Sequence, residues 1–319
     1  EVKGGNNPLL HLIKISAENK KNLNNIENTL GTGASELQRE LVRSLRSYES
    51  KGVSIPLHWW IRPAPGNMGD WLSPYIINKL TGFPVCYKNA KASKIVSLGS
   101  IGKFIQDHHI VWGTGISSQE TDLNAKAKYL AVRGPYTAEA IKKSGGNAPD
   151  IFGDPGILLR NIYEPKLING LNFKYGIVRH FIHQDCDIQI SEDVLDINIM
   201  LSSSIDIENF INILYSLKAV VTTSLHVNII CQAYKIPCRL INLKNQIQGV
   251  HGDGIKYRDF YEGVGLKYLP HADQAEIINP NFIESVVSND FISENSFKDL
   301  TSVLYDQLRN YPNTLLHEG

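Results

Sequence analysis

Tyr129-Leu130-Ala131-Val132-Arg133-Gly134-Pro135-Tyr136-Thr137 is the stretch on which the fold of this chain turns. Residues 129–132 read as a buried strand. Pro135, whose fixed φ suits the first position of a helix, opens a helical pattern that runs to residue 143. Arg133 lies between them, a cation at a strand end beside the free N–H groups of a helix start. That arrangement suits a carboxylate or phosphate ligand. It equally suits a structural ion pair, with Asp154 of Gly153-Asp154-Pro155 as the expected partner.

The same punctuation recurs outward in both directions. Upstream, residues 57–61, 95–98 and 110–112 read as strands and 71–80 as a helix. Downstream, 175–178, 219–222 and 239–242 read as strands, with helices at 207–217 and 226–234. Alternation at this pitch implies βαβ units and parallel sheets. The pattern breaks and restarts near 160–172. The fold class expected is therefore α/β, with two doubly wound, Rossmann-like domains facing a cleft, over residues 53–168 and 169–319. A polar, Asn-rich helical lead-in occupies 1–52, where Leu37, Leu41, Leu45 and Tyr48 recur at helical spacing. A last amphipathic helix carries Phe297, Leu300, Leu304, Leu308 and Tyr311 on one face and stops at Pro312.

Composition narrows the function. The 32 basic and 32 acidic residues cancel, which argues against a general nucleic-acid binder. No run approaches the ~20 apolar residues of a membrane span, so a cytoplasmic location is expected, with the inner face of the membrane an option. The chain opens at Glu1, which leaves room for its being part of a longer polypeptide. Cys86, Cys186, Cys231 and Cys238 form no CxxC pair and read as reduced core cysteines. No metal-ligand motif is present and none is expected to be required.

In sheets of this kind, ligands bind where strands end and helices begin. Pro65-Gly66-Asn67-Met68-Gly69-Asp70 precedes a helix, and Asp70 is either a base or acceptor toward a hydroxyl or a helix cap. Leu98-Gly99-Ser100-Ile101-Gly102 and Val111-Trp112-Gly113-Thr114-Gly115 are glycine turns at strand ends, consistent with simple tight packing. Thr222-Thr223-Ser224-Leu225-His226 sets a histidine in the first turn of a helix. There the dipole disfavours imidazolium and a bound anion restores it, which makes His226 a candidate general acid or base or else a core histidine. Arg179-His180 and Lys256-Tyr257-Arg258-Asp259 add cations on loops of a neutral chain, which suggests a small anionic substrate.

In order, these motifs resemble the polysaccharide pyruvyl transferase family. The resemblance spans about residues 57–265. It also takes in Gly153-Asp154-Pro155-Gly156, Gly176-Ile177-Val178-Arg179-His180, Ala233-Tyr234-Lys235-Ile236-Pro237 and Lys256-Tyr257-Arg258-Asp259-Phe260. It implies a GT-B-like pair of domains and formation of a pyruvate ketal on a sugar of a bacterial surface polysaccharide, with phosphoenolpyruvate as co-substrate and no resident cofactor. Under it, His226 is the general acid and Asp70 the base or hydroxyl orienter. Arg133, Lys256 and Arg258 hold the donor's anionic groups beside Ser224, while Asn67, Asp70, Arg179 and His180 face the acceptor. The chain departs from the family at Ser224, where many members carry arginine, and Arg258 or Arg179 is the expected substitute. Two rivals remain open. One is a GT-B glycosyltransferase gripping a nucleotide ribose through Asp259 or Glu262. The other is a non-catalytic glycan-binding module.

Overall fold

The computed structural model describes residues 54–244 and 251–309. The expected lead-in helix lies outside those residues, as do Tyr311 and Pro312 at the end of the last one. Two parallel sheets organise the rest. In the first, β1 (Ile55–His58), β2 (Val85–Tyr87), β3 (Ile95–Val96), β4 (Ile110–Trp112) and β5 (Lys128–Ala131) take the order β2-β1-β3-β4-β5. Around it lie helices α1 (Met68–Thr81), α2 (Pro135–Lys143) and the single turn α3 (Leu159–Ile162).

The second half begins with β6 (Tyr175–Val178), β7 (Gln189–Ile190), β8 (Val194–Ile197), α4 (Ser204–Tyr215), β9 (Ala219–Thr222), α5 (Leu225–Tyr234) and β10 (Cys238–Asn242). It continues through α6 (Ile255–Gly263), β11 (Ala272–Asp273), β12 (Ile277–Ile278), α7 (Pro280–Val286) and α8 (Glu294–Arg309). Its main sheet runs β11-β10-β9-β6-β8, and β12 pairs with β7 in a small separate ribbon. All the pairings between these strands are parallel. Covered on both faces, the central strands are continuous apolar runs: all four residues of β6 and of β9 are buried.

Several boundaries differ from the sequence reading. The first strand ends at His58, three residues before the expected stop, and Trp59 and Trp60 lie beyond it. Helix α1 starts at Met68, so Asp70 is a residue of its first turn, and Asn67 holds the N-cap position. The short strands β2, β7, β11 and β12 and the helix α7 carry too few residues for periodicity to show them. Of the expected terminal face, Phe297, Leu304 and Leu308 are buried and Leu300 partly so.

The halves share one apolar cluster. It joins Leu57, Trp71 and Ile76 to Ile197, Phe210 and Val220 without a break. Polar ties reinforce it: Tyr75 Oη in α1 donates to Glu208 Oε1 in α4 at 3.0 Å. At the other end, α8 returns to the first sheet, where the Trp112 indole N–H donates to the Leu304 carbonyl at 3.0 Å. The C-terminal ends of β1, β6 and β9 and the first turns of α1 and α5 consequently meet around one cavity. Among the described residues no helix is long and apolar enough to cross a membrane.

Candidate active site

The cavity has a volume of about 370 Å³, within the range of small-molecule sites. Its polar wall comes from both halves of the chain: Asn67 and Asp70 from the start of α1, His180 after β6, Ser224 and His226 at the start of α5, and Lys256 in the first turn of α6.

The turn before α5 is pinned from the strand side. Thr222 Oγ1 donates to the Val178 carbonyl at 2.7 Å and accepts the Ser224 N–H at 3.0 Å. Thr223 Oγ1 accepts the His180 N–H at 2.8 Å and lies 2.8 Å from His183 Nδ1. Ser224 thereby takes the N-cap position with extended backbone, yet its hydroxyl caps no N–H. Ser224, Leu225 and His226, the start of α5, line the cavity, and a helix N-terminus favours an anion.

His226 packs against α1. A Cβ on Gly69 would fall 2.1 Å from its Nδ1, so only glycine permits this approach. Burial, then the charges of Lys256 and Arg133, push the imidazole down to about 3. Burial and Arg133 likewise lower Lys256 to about 7, against the opposing pull of Asp70. Asp70 is pushed up to about 7 by burial, with a 2.7 Å hydrogen bond from Asn67 Nδ2 and the charge of Lys256 working the other way. His180 is held well below its ordinary value, by burial first and by Lys256, His183 and His226 next. At neutral pH the imidazoles are uncharged, while the lysine and the carboxyl each sit near their titration midpoints. A negative charge placed beside such groups favours their protonated forms.

The arginines stand elsewhere. Arg133 is 1% exposed and one layer behind the wall: its Nε donates to Asp259 Oδ2 at 3.1 Å, Nη1 to Ser100 Oγ at 2.7 Å and Nη2 to the Ile116 carbonyl at 2.5 Å. The anion expected at this strand end is thus the protein's own. Asp259 also accepts the Thr137 N–H at 3.0 Å and the Thr137 hydroxyl at 2.6 Å, occupying the N-terminus of α2. The backbones meet so closely that a Cβ on Gly134 would lie 1.7 Å from the Asp259 carbonyl oxygen. Asp154, the partner expected from the sequence, instead accepts the Gly156 N–H at 2.9 Å. Asp259 is fully buried and cannot grip a ribose, and Glu262 accepts from Tyr136 Oη outside the cavity.

Arg179 is buried on Asp196 at 2.6 Å and on the Gln184 carbonyl at 2.6 Å. Arg258 is half-exposed, stacked over Tyr136 and near Glu262. Neither lines the cavity, so neither stands where the family arginine at Ser224 would reach. Of the expected cations, Lys256 is the one that does. The sequence reading missed Trp60, Phe104, Phe181 and Ser100 as wall residues; its one signal for them is the glycine turn that holds Ser100. Cys231 and Cys238 are free and buried, while Cys86 and Cys186 are free and half-buried. Among the described residues no group of three or more His, Cys, Asp or Glu is placed to hold a metal ion.

An uncharacterized protein of Acanthamoeba polyphaga mimivirus, L143, is 24% identical over 245 residues, covering 74% of this chain and 83% of that protein. No solved structure matches the chain. Residues 66–245, more than half of the chain and the span that builds most of the cavity wall, match the polysaccharide pyruvyl transferase family, and the protein belongs to that family.

Proposed function

We propose that the protein moves the pyruvyl group of phosphoenolpyruvate onto two hydroxyls of a sugar, forming a pyruvate ketal during synthesis of a surface polysaccharide. The observation that carries this reading is the meeting of His226, Lys256 and the start of α5 with Asp70 in one cavity. The two parallel sheets, with strand ends from both at that cavity, support a GT-B-like arrangement.

In this reading Lys256, the α5 N–H groups and Ser224 receive the donor's phosphate and carboxylate. The added negative charge draws a proton onto His226. His226 then delivers it to C3 of the enol, and cationic character develops at C2. A sugar hydroxyl attacks C2 as Asp70 takes its proton. Phosphate then departs with a proton, and a second hydroxyl closes the ketal. One proton has gone to C3 and one to phosphate, which balances the two hydroxyls consumed. Arg133 acts from behind the wall, holding Ser100 and the α6 segment that carries Lys256.

Phosphoenolpyruvate serves as co-substrate, no resident cofactor is involved, and turnover in the presence of a chelator tests that point. The reaction is assigned to the cytoplasm, where this donor is made. The donor itself is tested by offering phosphoenolpyruvate and nucleotide sugars in parallel with the same glycans. Phosphate release from the former supports the assignment; nucleotide release from the latter overturns it.

A further inference from the structure

The cavity has an aromatic side that the proposed chemistry leaves unused. Trp59 and Trp60 follow β1 and differ sharply in their surroundings. Trp59 is 1% exposed, packed edge-on against Trp71 and Tyr87. Trp60 is 38% exposed and lines the cavity. One face of its ring lies on Phe104, with centroids 5.8 Å apart and planes 22° from parallel. Phe104 is itself held by the edge of His58 at 5.5 Å and by Lys103 Nζ at 5.3 Å, so the plate has a firm backing.

Leaving a large ring in water forfeits hydrophobic stabilisation, and such exposure at the wall of a cavity points to a ligand surface. A flat apolar plate suits the C–H face of a pyranose. The rim of hydroxyls on that pyranose needs polar partners, and Asn67 and Asp70 stand in the same cavity. Asn67 Oδ1 is buried without a hydrogen-bond partner among the described residues, so the polar side is also incomplete.

We infer that Trp60, backed by Phe104, is the acceptor platform: it takes one face of a pyranose ring of the glycan and presents that ring's hydroxyls to Asn67 and Asp70. The inference rests on the family's use of a glycan acceptor and does not depend on the identity of the donor.

The chain has four tryptophans, and Trp59, Trp71 and Trp112 are at most 1% exposed, so acrylamide quenching of the full chain reads Trp60. Methyl glycosides of gluco, galacto and manno configuration are the probes, with farnesyl phosphate as a lipid probe. At least one glycoside is expected to lower the quenching constant, and none to do so in Trp60→Phe. Trp60→Ala is expected to raise the KM for the glycan about 10-fold with that for phosphoenolpyruvate unchanged, and Trp60→Phe to recover most of the loss. Shielding by farnesyl phosphate and by no glycoside overturns the platform. So does an equal rise of both KM values in Trp60→Ala. Shielding is measured without turnover, so an inert phosphoenolpyruvate defeats the proposed donor while the platform is still decided.

Discussion

The imidazole of His226 occupies the space that any side chain at Gly69 would need, with Nδ1 only 2.1 Å from where a Cβ at position 69 would lie. A residue of α5 in the second half is thereby fitted to the first turn of α1 in the first half, and Asp70 follows directly in the chain. Gly69→Ala should therefore lower both stability and turnover, although alanine is the better helix former by roughly 1 kcal/mol. The cost should shrink in a His226→Ala background, because two of the three closest atoms are then gone. Thermal melts of the four proteins in this cycle check the coupling, which additive losses would refute.

Arg133 and Asp259 form a fully buried pair. Arg133→Ala leaves a buried carboxylate uncompensated and should destabilise the fold by about 3–5 kcal/mol. Asp259→Asn should act in the same direction and also weaken the start of α2. Arg258→Ala, by contrast, removes a half-exposed side chain away from the cavity. It should change stability by no more than about 0.5 kcal/mol and leave both KM values near wild type. Denaturant melts and steady-state kinetics distinguish the two arginines. A strong rise of the donor KM in Arg258→Ala would return that residue to the site.

Lys256 and Asp70 are both shifted to about 7 by burial. In the proposed reaction Lys256 carries its proton to meet the donor, and Asp70 has lost its own to act as base. The profile of kcat/KM should therefore peak near pH 7 and fall on both sides. Lys256→Arg, always charged, should flatten the alkaline limb if it still binds donor, and Asp70→Asn should remove the acid limb along with most of the rate. A profile flat from pH 6 to 9 in the wild type would contradict both assignments.

A buried lysine whose value has fallen from 10.5 to about 7 destabilises the folded protein throughout the range below 10.5. Lys256→Met should accordingly raise the melting temperature at pH 7, by the equivalent of about 1–4 kcal/mol, while donor use is lost. Scanning calorimetry with and without phosphoenolpyruvate checks this. A less stable Lys256→Met would mean the lysine serves packing more than ligand binding.

Acid sensitivity has a separate source. His109 is fully buried, 2.9 Å from Ser93 Oγ, and burial with the charge of His108 lowers it to about 4. Its folded value lies below the unfolded 6.5, so the stability it contributes is present above 6.5 and is lost as pH falls toward 4. Asp70 and Asp154, both raised, act with the opposite sign, so the comparison must be between variants. His109→Gln should be less stable than wild type at pH 7, and the gap should narrow by a few kcal/mol at pH 4. Melts across that range measure it.

The alternation of strand and helix was legible because the buried parallel strands are unbroken apolar runs and their helices open on Pro135 or Ser224. His226, Asp70, Asn67, His180 and Lys256 were legible as polar residues at such junctions, and the structure brings those five together with Ser224. The fate of Arg133 was not. A cation before a helix start reads the same whether its anion is a ligand or a carboxylate arriving from 126 residues away. Trp60 was hidden for a related reason: in a strand reading of 57–61 both tryptophans count as apolar core, and only their opposite exposures separate the wall from the interior.

The central claim is pyruvyl transfer through His226. Its most direct measurement incubates the protein with phosphoenolpyruvate and a panel of oligosaccharides, following inorganic phosphate and the mass of each glycan together. Equal amounts of phosphate and of one glycan carrying an added pyruvate ketal are expected, with the rate reduced at least ~100-fold in a folded His226→Ala variant. Phosphate release without a modified glycan, or a His226→Ala variant as fast as wild type, would contradict it.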